Sequence, residues 1–145
     1  MEDFETKVRQ AVPFFAVSNM EASLRFYVEG LAFEMTHKWM YDGTVRWCWL
    51  QRDGAGLMLQ DFRREDGGRW SPVGKLGLGV SIMFICDDAL AIYREVRSRG
   101  IDASKPFVGN AMWVTSLRDP DGYRVDFESY TDVPEETVYS EDAVS

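Results

Sequence analysis

A chain of 145 residues, 46% hydrophobic and 14% aromatic, carries enough apolar surface for one substantial core; this excludes a disordered protein and makes two independent ordinary domains marginal. Its formal net charge of −8 excludes a general nucleic-acid binder, which needs a basic footprint to replace counterions on phosphate. Cys48 and Cys86 sit far apart in apolar runs, which argues for buried free thiols over a disulfide framework or zinc site; with no apolar run near 18 residues and an acidic opening, the expectation is a cytoplasmic protein with no membrane partner.

Ala11 to Val17 is a short apolar run and reads as a buried strand. Ser18 followed by Glu21 fits a capping box, and Met20, Leu24, Tyr27 and Leu31 recur at helical spacing, predicting a helix from Met20 to Glu29 that Gly30 stops. Phe33 to Tyr41 and Val45 to Gln51 flank Asp42-Gly43 as a hairpin, and Leu57 to Phe62 gives a further strand. These elements form one module, residues 10–62. Residues 63–79, rich in glycine, read as a linker. Val80 to Cys86 is the next strand. Asp87-Asp88 then open a helix whose Ala89, Ile92, Tyr93 and Val96 share a face and which Gly100 ends. Phe107, Met112 to Leu117 and Tyr123 to Ser129 supply three more strands, the last two joined by a turn at Asp119-Pro120-Asp121-Gly122. The second module spans 80–131. Residues 132–145 hold five acidic and no basic residues and read as a mobile or loosely docked tail.

The order strand, helix, three strands therefore occurs twice, an α+β fold of two tandem βαβββ modules in a single domain. On an offset of 66, Arg52-Asp53-Gly54 aligns with Arg118-Asp119-Pro120, Trp47 with Trp113 and Gln60 with Asp126. One module alone would leave a sheet face uncovered, so the two must pack together.

The stretches FFAVSNMEASLRFYVEGLAFEM and DPDGYRVDFES resemble the opening strand and helix and the closing hairpin of the glyoxalase/bleomycin-resistance/dioxygenase (vicinal oxygen chelate) superfamily, over residues 10–131. The resemblance implies an incompletely closed sheet that forms a cleft, a homodimer, and in many relatives a divalent metal held by His, Glu or Gln from both modules. Members include lyases, isomerases, ring-cleaving dioxygenases and metal-free antibiotic-binding proteins, so the fold does not fix the function. In metal-dependent relatives the first strand of each module opens with a ligating His; the aligned positions here fall near Val12 and Ser81. His37 is the single histidine, which excludes a two-His-one-carboxylate iron site within one chain. Gln60 and Asp126 occupy the positions of the family's Glu or Gln ligands. An oxygen-rich Mg²⁺ or Mn²⁺ site of Gln60, Asp126, Glu128 and His37 stays open as an alternative to the plainer expectation of no metal and no cofactor.

If Gln51 lies opposite Gly56, Trp49 faces Met58 and Trp47 faces Gln60; the same register in the second module sets Trp113 opposite Asp126 and Thr115 opposite Arg124. One face then presents Trp47, Trp49, Gln60, Trp113, Arg124, Asp126 and Glu128. Charges on an inward face must be paired or solvated, so a wet cleft is expected and these seven are its predicted ligand-binding residues. The plain alternative is exposed sheet with the tryptophans under loops or at a dimer contact.

Three functional readings follow, in this order. The first is a small-molecule-binding protein similar to bleomycin-resistance proteins, with Trp faces stacking on a planar or cationic ligand. The second is a metal-dependent lyase or isomerase similar to glyoxalase I, and the third a metal-free acid–base enzyme using Asp126 or Glu128. Whether the chain is an enzyme stays open, and no catalytic residue is assigned. No nucleophile elbow, P-loop or dinucleotide fingerprint is present.

Overall fold

The computed structural model describes residues 5–62 and 72–141; of the linker, 63–71 lie outside the described residues. The chain runs β1 (Phe14–Val17), α1 (Met20–Leu24, continued by a π-helical turn Arg25–Gly30), β2 (Glu34–Tyr41), β3 (Thr44–Arg52) and β4 (Ala55–Asp61). It then repeats the pattern in β5 (Ser81–Ile85), α2 (Ala89–Ser98), β6 (Phe107–Gly109), β7 (Met112–Arg118) and β8 (Arg124–Tyr130). Two four-stranded sheets result, ordered β1-β4-β3-β2 and β5-β8-β7-β6. In each, the first strand lies parallel to the last and the remaining pairs are antiparallel. This is the expected α+β arrangement of two modules with sheets that do not close.

Local chemistry explains most element ends. Asp42 and Gly43 both take positive φ, the mirror-image turn that matches strand twist, so β2 and β3 form a tight hairpin. Asp88 caps α2 by accepting from the amides of Leu90 and Ala91, and Gly100 ends it at φ 81°. The first helix departs from expectation at both ends. Its N-cap is Asn19, which accepts from the Ala22 amide; Ser18 is drawn away to donate its hydroxyl and amide to Asp121 of the second module. The helix also widens after Leu24 into the π turn that contains Gly30. A Cβ on Gly30 would come within 2.1 Å of the terminal methyl of Ile101, so the close approach between modules favours glycine there unless that side chain moves aside.

The helix-covered faces of both sheets contribute to one core that includes Phe15, Tyr27, Leu50 and Leu59 from the first module and Tyr93, Val96, Val125 and Phe127 from the second. The closing turn of each module rests on the other. Tyr123 stacks on Phe15 with ring centroids 4.2 Å apart, and Asp119 accepts from the Tyr27 hydroxyl at 2.8 Å. Reciprocally, Arg52 pairs with Glu95 of the second module at 2.9 Å, while donating to the Leu31 carbonyl of its own.

The tail corrects an expectation. Residues 132–141 dock along the outer edge of β6: the Val108 and Thr137 backbones are joined at 2.9 Å, the Tyr139 amide donates to Pro106, and the buried Tyr139 ring sits edge-on to Tyr93 and Trp113. A three-residue edge strand has backbone groups to satisfy, and the tail satisfies them. Among the described residues no helix is long and apolar enough to cross a membrane.

Candidate functional site

In the first module the pairing is the expected one, with Gln51 opposite Gly56, Trp49 opposite Met58 and Trp47 opposite Gln60. Cys48 and Leu50 point into the core, so Trp47 and Trp49 stand on the open side with Met58 and Gln60. Trp49 is held there: its indole N–H donates to the Gln51 side chain at 2.8 Å, and its ring lies so close over Gly56 that a Cβ would approach to 2.9 Å.

The second module corrects the expected register. Asp126 pairs with Ser116, Glu128 with Val114, Trp113 with Ser129, and Thr115 with Phe127. The cause is the connection between the strands. Two residues, 53–54, separate Arg52 from its partner Ala55, but five, 119–123, separate the aligned Arg118 from its partner Arg124, wound around an Asp119 carboxylate that accepts from the Asp121 and Tyr123 amides. Three extra residues, an odd number, move a strand's side chains to the opposite face relative to the alignment. Trp113 therefore leaves the predicted site: it lies on the core side with Thr115, whose hydroxyl donates to the Ala89 carbonyl, and packs on Tyr139.

Arg124, Asp126 and Glu128 do share the open side of the second sheet, since Val125 and Phe127 fill the core and the Ser129 hydroxyl accepts from the Ala89 amide. Asp126 is engaged through one carboxylate oxygen, Oδ1, which accepts from Arg124 Nε at 3.1 Å and from the Ser116 hydroxyl. Glu128 is only 8% exposed, and among the described residues its carboxylate has no hydrogen-bond or ion-pair partner; its pairing neighbours are Ile85 and Val114. Burial, then the nearby Asp126 charge, raises the Glu128 carboxyl above the usual range, with Arg124 opposing. A pocket of about 520 Å³, within the range of ligand sites, opens beside Ser116, Arg118 and Arg124.

The candidate donors to a metal ion are divided between the two sheets. The carboxylate at the family's ligand position, Asp126, already has a guanidinium against it, and the Ser81 position pairs with that same Arg124. Gln60 lies on the other sheet, and the His37 ring is engaged by the Thr36 hydroxyl. Among the described residues no three His, Cys, Asp or Glu side chains cluster to hold one.

Known structures share this architecture. TnmS3, an antibiotic binding protein from Streptomyces sp. CB03234, is 21% identical with a TM-score of 0.64, covering 86% of this chain and 99% of that one. UcmS2 is 16% identical with a TM-score of 0.68, covering 85% and 98%. A glyoxalase/bleomycin resistance protein/dioxygenase from Nocardioides is 18% identical with a TM-score of 0.63, covering 93% of each chain. At such identities the likeness speaks for the fold alone. No curated protein matches the sequence. The sequence profile of one family matches residues 9–127, most of the chain, and on that match and this fold the protein belongs to the Glyoxalase/Bleomycin resistance protein/Dioxygenase superfamily.

Proposed function

We propose that this chain is a small-molecule-binding protein of the antibiotic-binding kind, without the His-based metal centre of its catalytic relatives, and that it works as a homodimer. The observation that carries the reading is the chemistry of the two open faces. One presents Trp47, Trp49 and Gln60, suited to stacking on a planar ligand; the other presents Arg124, Asp126 and Glu128 beside apolar Met83 and Ile85. Both faces turn away from the shared core, so within one chain they do not close on each other. Met83 and Ile85 are 48% and 54% exposed, an apolar surface that a second copy would cover while bringing the tryptophans of one chain opposite the charges of the other. The antibiotic binding named for TnmS3 supports the ligand class.

Calorimetric titration with bleomycin and with the planar dyes acridine and 9-aminoacridine tests this reading. Saturable binding by a dimer, without added metal and indifferent to EDTA, is the expected result, and Trp47→Ala should weaken it about tenfold. Stoichiometric metal that stabilises the purified protein, or no binding across the panel, would overturn it. The raised basicity of Glu128 favours one second reading, metal-free acid–base chemistry, which is distinguished by chemical change in the bound compound.

A further inference from the structure

The charge on the open face of the second sheet is unevenly satisfied. Asp126 and Arg124 neutralise each other, and the Ser116 hydroxyl holds the same carboxylate oxygen. Glu128, two residues on, is nine-tenths buried and among the described residues has no hydrogen-bond or ion-pair partner, with aliphatic Ile85 and Val114 on either side. The residues of β5 on this face, Ser81, Met83 and Ile85, cannot ionise, and the guanidinium of Arg124 is already engaged. The trio thus carries one net negative charge, in a place that further covering would desolvate, while Arg118 on the same face donates to the Gly122 carbonyl and stands four residues along β7 from Val114, the partner of Glu128. Such a carboxylate keeps contact with solvent and is available to a cation from outside the chain.

The first sheet sharpens the point. The open side of the first sheet carries Gln60, paired with Trp47 and Ala16, where that of the second carries Glu128, paired with Val114 and Ile85. The duplicated fold therefore offers a neutral amide beside an indole at one site and a bare carboxylate between aliphatic groups at the other. A ligand spanning both would meet aromatic surface at one end and unbalanced negative charge at the other.

We propose that Glu128 is the specificity-determining anchor for a protonated amine, so that the cleft selects planar organic cations over neutral or anionic compounds of the same shape. This rests on the binding function proposed above and adds the charge of the ligand and the residue that reads it. Asp126 and Arg124 serve as a neutral, hydrogen-bonded pair that positions this face without contributing net charge.

The experiment compares 9-aminoacridine, a cation at neutral pH, with acridine and with acridine-9-carboxylate, by calorimetry on the full-length protein. Wild type should prefer the cation over acridine by about tenfold or more and bind the anion most weakly. Glu128→Gln should bring the cation's affinity down to that of acridine while leaving acridine itself within about twofold. A melting scan confirms that the variant is folded. Equal affinity of wild type for cation and neutral dye, or a cation preference that survives in Glu128→Gln, would overturn the anchor while leaving the cleft intact. Binding of none of the three would remove the planar-ligand reading and the anchor with it.

Discussion

Glu128 and Gly30 show how far single residues speak for themselves. The carboxyl of Glu128 is raised by burial and by Asp126, so folding takes up a proton there; its contribution to stability is full below its unfolded value and is lost as pH rises through the higher folded value. Glu128→Gln should accordingly raise the melting temperature of the free protein at pH 8 more than at pH 5, opposite in sense to its effect on cation binding. The sequence marks Glu128 as a candidate site residue, but nothing in it tells that Asp126 is satisfied and Glu128 is not, because the partners sit on a neighbouring strand. Gly30 is readable as a helix end, yet its contact, Ile101, lies in the other module. Gly30→Ala should destabilise by about 1–3 kcal/mol in denaturant titration, with partial rescue by Ile101→Val. Cys48 is buried and its thiol is pushed up to about 11, and Cys86 is raised by burial as well. Both should alkylate far more slowly at pH 8 than a free cysteine and react fully once unfolded, as mass spectrometry would report.

Among the elements, the closing hairpins set what each face displays. Asp53-Gly54 sits between Arg52 and Ala55 as a two-residue link, and the register of β3 and β4 follows from the sequence as read. The run from Asp119 to Tyr123 announces a turn equally clearly but not its length in register, and three residues more moved Trp113 from the expected cleft into the core. Asp119 organises that turn, accepting two of its amides and the Tyr27 hydroxyl, whose proton is held firmly by burial and the adjacent charge. Asp119→Ala should destabilise by about 2–3 kcal/mol, with Tyr27→Phe smaller and the two less than additive. Across the molecule from it, Glu95 joins Arg52 and Arg99. Burial would raise its carboxyl, but hydrogen bonds and charge from the two guanidinium groups outweigh that and lower it. The bridge therefore stabilises above the unfolded carboxyl's value and fades as pH falls through the lower folded one, so Glu95→Gln should flatten acid unfolding between about pH 5 and 3.

For the molecule as a whole, the duplicated pattern of strands and helices was legible because apolar periodicity and turn residues act locally; the docked tail was not, since its composition says only that it is acidic. Tyr139 supplies what composition hides, a buried aromatic ring against Tyr93 and Trp113. The reciprocal resting of each closing turn on the other module has a kinetic consequence. Ser18 meets Asp121 across 103 residues and Tyr27 meets Asp119 across 92, so neither module completes its surface until nearly the whole chain is in place. Contacts of such separation slow folding and bind the two halves into one cooperative unit. The repeat seen in the sequence is thus a unit of ancestry and of architecture, while the unit that melts and refolds is the pair.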